Sequence, residues 1–95
     1  MKVNLTVGLK DLAGKEVING GERIILSKFV ANLIVSDEAK ENILQRWELA
    51  NKLNVADGEV EITESEKEII KKVCESGRMT ILFAAQILSI INNAK

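Results

Sequence analysis

Three carboxylates and one thiol are the side chains most capable of chemistry in this sequence. Asp57, Glu59 and Glu61 lie close together, and a strand would place Glu59 and Glu61 on one face. Carboxylates grouped in this way could bind a divalent cation through oxygen. However, Val60 and Ile62 alternate with them, which is also the pattern of a half-buried strand with a solvated acidic face. We favour the solvated face and predict no metal ion and no other cofactor.

The thiol belongs to Cys74, the one cysteine of the chain. Cys74 shares the apolar side of a predicted helix with Ile70 and Val73, where a free cysteine behaves as a small hydrophobic residue. We therefore predict inert packing, with a reactive or redox role as the alternative. A single cysteine excludes an intramolecular disulfide and favours a reducing compartment.

The residue types that are missing exclude further chemistry. The chain contains no histidine and no tyrosine, so the commonest general base and the commonest zinc ligand are both absent. A catalytic arrangement that needs histidine cannot form within one chain. Gly20 and Gly21 lack the Lys-Ser/Thr context of a phosphate-binding loop. An enzyme is not expected, and one would have to use the carboxylates or Cys74.

Length and charge describe one ordinary globular domain spanning residues 1–95. The hydrophobic fraction of 46% argues against disorder. The net charge of −1 gives little drive for binding phosphate backbones, so nucleic-acid binding is not expected. The alternative, a nucleic-acid-associated protein, has its best support in the basic side chains of the N-terminal third, Lys2, Lys10, Lys15, Arg23 and Lys28. These side chains would have to converge on one face.

Short strands are predicted mainly in the N-terminal third. Val3, Leu5 and Val7 alternate with polar residues, which indicates a half-buried strand. Residues 16–18 and 22–26 flank an Asn-Gly-Gly turn and are expected to form a hairpin. Residues 60–62 form a further strand, which we expect to join the others in one antiparallel sheet.

Helices fill the remainder of the chain. Ser27 is predicted to cap a helix that ends near Val35, and Ser36 to cap the next one, with Asp37 and Glu38 near its positive end. Ile43, Trp47 and Ala50, joined by Leu44 and Leu53, are predicted to form the buried stripe of that second helix. The alternative for Trp47 is an exposed anchor for a partner.

Thr63 and Glu66 fit a capping box that opens a third helix, and Gly77 suits a left-handed C-terminal cap. The resulting order is β-β-β-α-α-β-α-α. It describes an α+β fold in which a small antiparallel sheet of short strands packs with about four helices.

Residues 79–94 carry no charge and are predicted to form a last helix that is apolar nearly all round. The stretch is shorter than the ~20 residues that cross a bilayer, so membrane association is not expected. Such a helix must lie at the centre of the domain or meet another copy of the chain. The candidate self-association surface comprises Leu82, Phe83, Ile87, Leu88 and Ile91.

Short stretches spread along nearly the whole chain are similar to known sequences. They are LKDLAGK at 9–15, ILSK at 25–28, ANL at 31–33, WELANKL at 47–53, GEVEIT at 58–63 and QI at 86–87. Together they resemble a group of small proteins encoded by tailed phages and prophages that has no settled biochemical role. The resemblance implies a phage or prophage setting in the cytoplasm of a bacterial host, and it supplies no catalytic residues.

The expected function is a non-enzymatic interaction or assembly protein that binds protein, including a second copy of itself, as a symmetric dimer. This expectation is based on the absence of histidine-dependent catalytic groups and on the uncharged last helix. The identity of any other protein partner stays open. The alternative is a nucleic-acid-associated accessory or regulatory protein of a prophage.

Overall fold

The computed structural model describes residues 1–36, 41–77 and 79–93. Its elements follow the predicted order, and the α+β class is confirmed. They are β1 Lys2–Val3, β2 Ile18–Asn19, β3 Glu22–Arg23, α1 Leu26–Ser36, α2 Ile43–Val55, β4 Val60–Glu61, α3 Glu64–Glu75 and α4 Ile81–Asn92.

The strands form two antiparallel sheets of two strands each, whereas the sequence predicts one. β1 pairs with β4, which brings Val3 opposite Val60, and β2 pairs with β3 as a hairpin. Residues 4–9, the N-terminal extended segment, follow β1 and bond to residues at the start of α1 and just before it. The Leu9 amide donates to the Ile24 carbonyl at 2.8 Å, and the Leu26 amide donates to the Val7 carbonyl at 3.0 Å. Because the chain after β3 turns into α1 at Leu26, it is too short to continue a strand that would join the two sheets into one.

Helix α1 ends near Val35 as predicted, but its start and the role of Ser36 differ from the prediction. Ser27 lies inside the helix rather than at its cap, and its amide donates to the Leu5 carbonyl at 2.8 Å. Ser36 is the last residue of α1, and its hydroxyl donates to the Asn32 carbonyl at 2.7 Å. Ser36 therefore does not cap α2, and Asp37 and Glu38 lie outside the described residues.

The buried face of α2 is not the one that the sequence predicts. Ala50 and Leu53 are buried as expected, but Ile43 and Trp47 are 64% and 58% exposed. Leu49, which the predicted stripe does not include, is fully buried. Leu44 is 76% exposed. It lies nine residues before Leu53, which on a helix of 3.6 residues per turn places the two side chains on opposite sides. The prediction that Ile43, Leu44 and Trp47 belong to the core stripe is wrong.

The beginning of α3 is fixed by the predicted capping box, which is confirmed. The Glu66 amide donates to Thr63 Oγ1 at 3.1 Å, and the Thr63 amide donates to Glu66 Oε1 at 2.9 Å. Lys52, on α2, adds its ammonium to the same carboxylate, 2.9 Å from each oxygen. Gly77, two residues after the end of α3, has the left-handed φ of 81° that its predicted capping role requires.

The core lies between the four helices and the extended N-terminal segment. Its fully buried large side chains come from the N-terminal extended segment, the residue after β4 and all four helices, and include Leu5, Leu26, Ile34, Leu49, Leu53, Ile62, Ile70, Ile87 and Ile91. None of the helices in the described part of the chain is long and apolar enough to cross a membrane.

Candidate functional site

The carboxylates that could have formed a cation site do not gather into one. Asp57, Glu59 and Glu61 are all exposed, and Glu61 Oε1 lies 2.9 Å from the Met1 amino nitrogen. The hydrogen bond from that amino group holds the pKa of Glu61 below its ordinary value. Among residues 1–36, 41–77 and 79–93, no three His, Cys, Asp or Glu side chains are grouped closely enough to hold a metal ion.

Cys74 lies on the inner side of α3 and is 5% exposed. Burial, assisted by the negative charge of Glu75, raises the pKa of the thiol to about 11. The thiolate is the nucleophilic form of cysteine, so this environment keeps the sulfur unreactive near neutral pH.

Labelling with a thiol reagent checks this environment. At about pH 8 we expect native Cys74 to react at least about 100-fold more slowly than in the unfolded chain, because the raised pKa and the burial both reduce accessible thiolate. Equal rates in native and denatured protein would contradict the buried placement. A Ser76→Cys variant, at an exposed position two residues along the chain, supplies the fast-reacting control.

The five residues of the predicted self-association surface do not share one environment. Ile87 and Ile91 are fully buried, and Leu82, Phe83 and Leu88 are half-buried. The Phe83 ring stacks on Phe29 of α1, with the centroids 3.9 Å apart. Three of the five therefore pack mainly within the domain, and only Leu82 and Leu88 border the outer side of α4.

The outer side of α4 changes character along its length. Ile81 is 85% exposed, and Ala85 follows it one turn later, also exposed. Ser89 and Asn92 continue the same stripe towards the C-terminal end and are polar and exposed. The exposed apolar side chains on the outer side of α4 are thus confined to its N-terminal half, whereas the sequence predicts a helix that is apolar nearly all round.

A groove of about 1040 Å³ lies beside this N-terminal half. One wall is the first two turns of α4, and the other is the turn of residues 11–15, the Leu12 turn, which follows the N-terminal extended segment. Leu12, at the tip of that turn, is 99% exposed. The residues that line the groove are Lys10, Asp11, Leu12, Ala13, Gly14, Ile81, Leu82, Ala85 and Gln86.

Hydrogen bonds hold the Leu12 turn in place against α4. Asp11 Oδ1 accepts from the amides of Ala13 and Lys15 at 2.9 and 3.0 Å. The Gln86 carboxamide pairs with the backbone of Lys10, accepting from its amide at 3.0 Å and donating to its carbonyl at 2.6 Å. Sequence reasoning missed Leu12 and this use of Gln86. The available signal was the carboxamide of Gln86, the one polar side chain among residues 81–88.

A second exposed apolar surface lies on α2. It comprises Ile43, Leu44 and Trp47, with Val35 of α1 beside Trp47. A small pocket of about 180 Å³ next to Trp47 is also lined by the carboxamides of Asn32, Asn51 and Asn54. Trp47 therefore has the exposed placement that the alternative interpretation of this residue requires.

Comparison with known proteins gives no relative for this arrangement. No family model matches the chain, and neither a curated protein nor a solved structure matches it.

Proposed function

We propose that this chain is a non-enzymatic protein-interaction module of phage or prophage origin, acting in the cytoplasm of the bacterial host, and that it self-associates as a symmetric dimer. The phage setting rests on the sequence resemblance alone. The observation that supports protein binding and self-association is the groove beside α4, where Leu12 and Ile81 are almost fully exposed. Burying one such side chain stabilises an association by about 1.5–3 kcal/mol.

The shape of this surface favours protein binding over catalysis. The groove is open and mainly apolar, and its walls carry few ionisable side chains, Lys10 and Asp11. Asp11 already uses a carboxylate oxygen within its own turn. A two-fold interface is the commonest way to bury an exposed apolar surface, because the same residues serve both copies.

Light scattering across a range of concentrations on the order of 1–500 µM tests the proposal. We expect the mass to rise from 10.5 kDa towards twice that value as the concentration increases. An Ile81→Asp variant should stay at 10.5 kDa, because it places a charge at the groove. Ile81 is the first residue of α4, where an acidic side chain favours the helix, so the fold should be retained.

The matched control is Leu44→Asp, which places the same charge on the exposed surface of α2. We expect this variant to dimerise like the unmodified chain. A mass of 10.5 kDa for the unmodified chain at every concentration would contradict self-association. If Leu44→Asp gives the monomer and Ile81→Asp does not, the dimer forms through α2 instead.

A further inference from the structure

We infer that in this dimer Leu12 of each copy packs into the groove of the other copy, against Ile81 and Ala85. This inference rests on the proposed self-association and names the contact that produces it. Leu12 projects from the tip of its turn with 99% of its surface exposed, and the groove lies directly beside it. The Leu12 side chain and the groove that can receive the Leu12 of another copy therefore lie on one face of the molecule.

This placement argues for a second copy as the occupant. In a two-fold interface, a residue that contacts a position on the partner receives the reciprocal contact from the partner. One rotation then buries both Leu12 side chains and both grooves together. The rim carries Lys10 and Asp11, one charge of each sign, which suits a copy of the same face better than a strongly charged partner.

The Leu12 turn is already ordered for such a contact. The Asp11 carboxylate closes the turn, and Gln86 fastens its base to α4 through the Lys10 backbone. A side chain presented on a fixed turn loses less conformational freedom on binding than one on a mobile loop. The Gln86 carboxamide also fixes the distance between Leu12 and the groove, because it joins the Leu12 turn to α4.

The extent of the face sets the expected affinity. A standard stable interface buries about 800 Å² per partner, from roughly 20–30 residues. Residues 10–15 and the outward side of α4 supply about half that number of residues, so we expect dissociation constants on the order of micromolar. A face of this extent is a modest part of the 5958 Å² that the chain exposes.

A charge-complementation experiment tests the contact. Leu12→Asp and Ala85→Lys each place a charge at the interface, and both positions are exposed in the single chain. Each variant alone should be monomeric, with dimerisation weakened at least about 100-fold. An equimolar mixture should recover dimers, because one junction then pairs aspartate with lysine and the other junction is unmodified. Ile18→Asp, on the hairpin, is the control and should dimerise like the unmodified chain.

The possible outcomes separate the contact from the proposed function. If the unmodified chain is monomeric at all concentrations, self-association fails and the Leu12 contact fails with it. If the unmodified chain dimerises and Leu12→Asp does so equally well, self-association stands and the Leu12 contact is refuted. A mixture that stays monomeric refutes the pairing of Leu12 with Ala85. Matching thermal melts of all variants, recorded at a concentration below the dimer range, would confirm that the single chains are folded.

Discussion

Replacing Ile87 with alanine is expected to lower the free energy of unfolding by about 3–4 kcal/mol. Ile87 is fully buried on the inner side of α4 and belongs to the core. The substitution removes buried methyl and methylene groups and leaves a cavity that the surrounding side chains cannot fill completely. Because a domain of this size has a stability of only about 5–15 kcal/mol, the loss is a large part of the total.

Urea unfolding at a concentration below the dimer range measures this loss without a contribution from self-association. The matched control is Ile81→Ala, the same change on the same helix at a residue that is 85% exposed. We expect the control to change stability by less than about 0.5 kcal/mol. Similar losses for the two variants would contradict the orientation of α4.

Replacing Glu66 with alanine is expected to cost about 2–3 kcal/mol at neutral pH. Its carboxylate accepts from the Thr63 amide and from the Lys52 ammonium, so it holds the start of α3 and joins α3 to α2. Lys52 is about one-third exposed and can recover water when its partner is lost. The cost should therefore stay below that of breaking a fully buried ion pair, about 3–5 kcal/mol.

The contribution of Glu66 should also depend on pH. Burial alone would raise the pKa of Glu66, but hydrogen bonds from Lys52 and Thr63 outweigh it, so the pKa lies below the ordinary value of 4.5. A carboxyl group whose pKa is lower in the folded state stabilises the fold above its unfolded pKa, and this stabilisation is lost as the pH falls. The stability difference between the unmodified chain and Glu66→Ala should therefore shrink between about pH 6 and pH 3.

Glu64→Ala is the control for this pair, because Glu64 lies in the same first turn of α3 but is exposed. Its effect should be below about 1 kcal/mol, since it loses only the favourable interaction with the helix dipole. If Glu66→Ala is no more harmful than Glu64→Ala, the carboxylate does not hold the two helices together.

Local patterns in the sequence predict the elements well where one short-range interaction decides them. The capping box of Thr63 and Glu66 and the left-handed Gly77 depend on neighbours within a few residues, and both are confirmed. The alternation of Val3 and Leu5 also places both side chains in the core. The number of sheets depends on where the chain after β3 turns into α1. The alternation of apolar and polar residues in the strands does not specify that position.

The orientation of the helices could not be predicted in the same way. α2 carries apolar residues on two sides, and periodicity alone does not say whether Trp47 or Leu49 faces the core. In the folded chain Leu49 is fully buried and Trp47 is 58% exposed. On α4 the groove arises because the Leu12 turn bonds to Gln86, a contact across 76 positions of the chain. No local pattern reports a contact at such a separation.

The fluorescence of Trp47, followed as the concentration is raised, distinguishes the two exposed apolar surfaces directly. The chain has one tryptophan and no tyrosine, so the emission reports on Trp47 alone. Pairing through the groove beside α4 leaves this residue in water, and we expect its emission maximum to stay constant while the mass doubles. A shift of the maximum to shorter wavelength in step with the mass would show that the α2 surface is covered instead, and would contradict pairing through the groove.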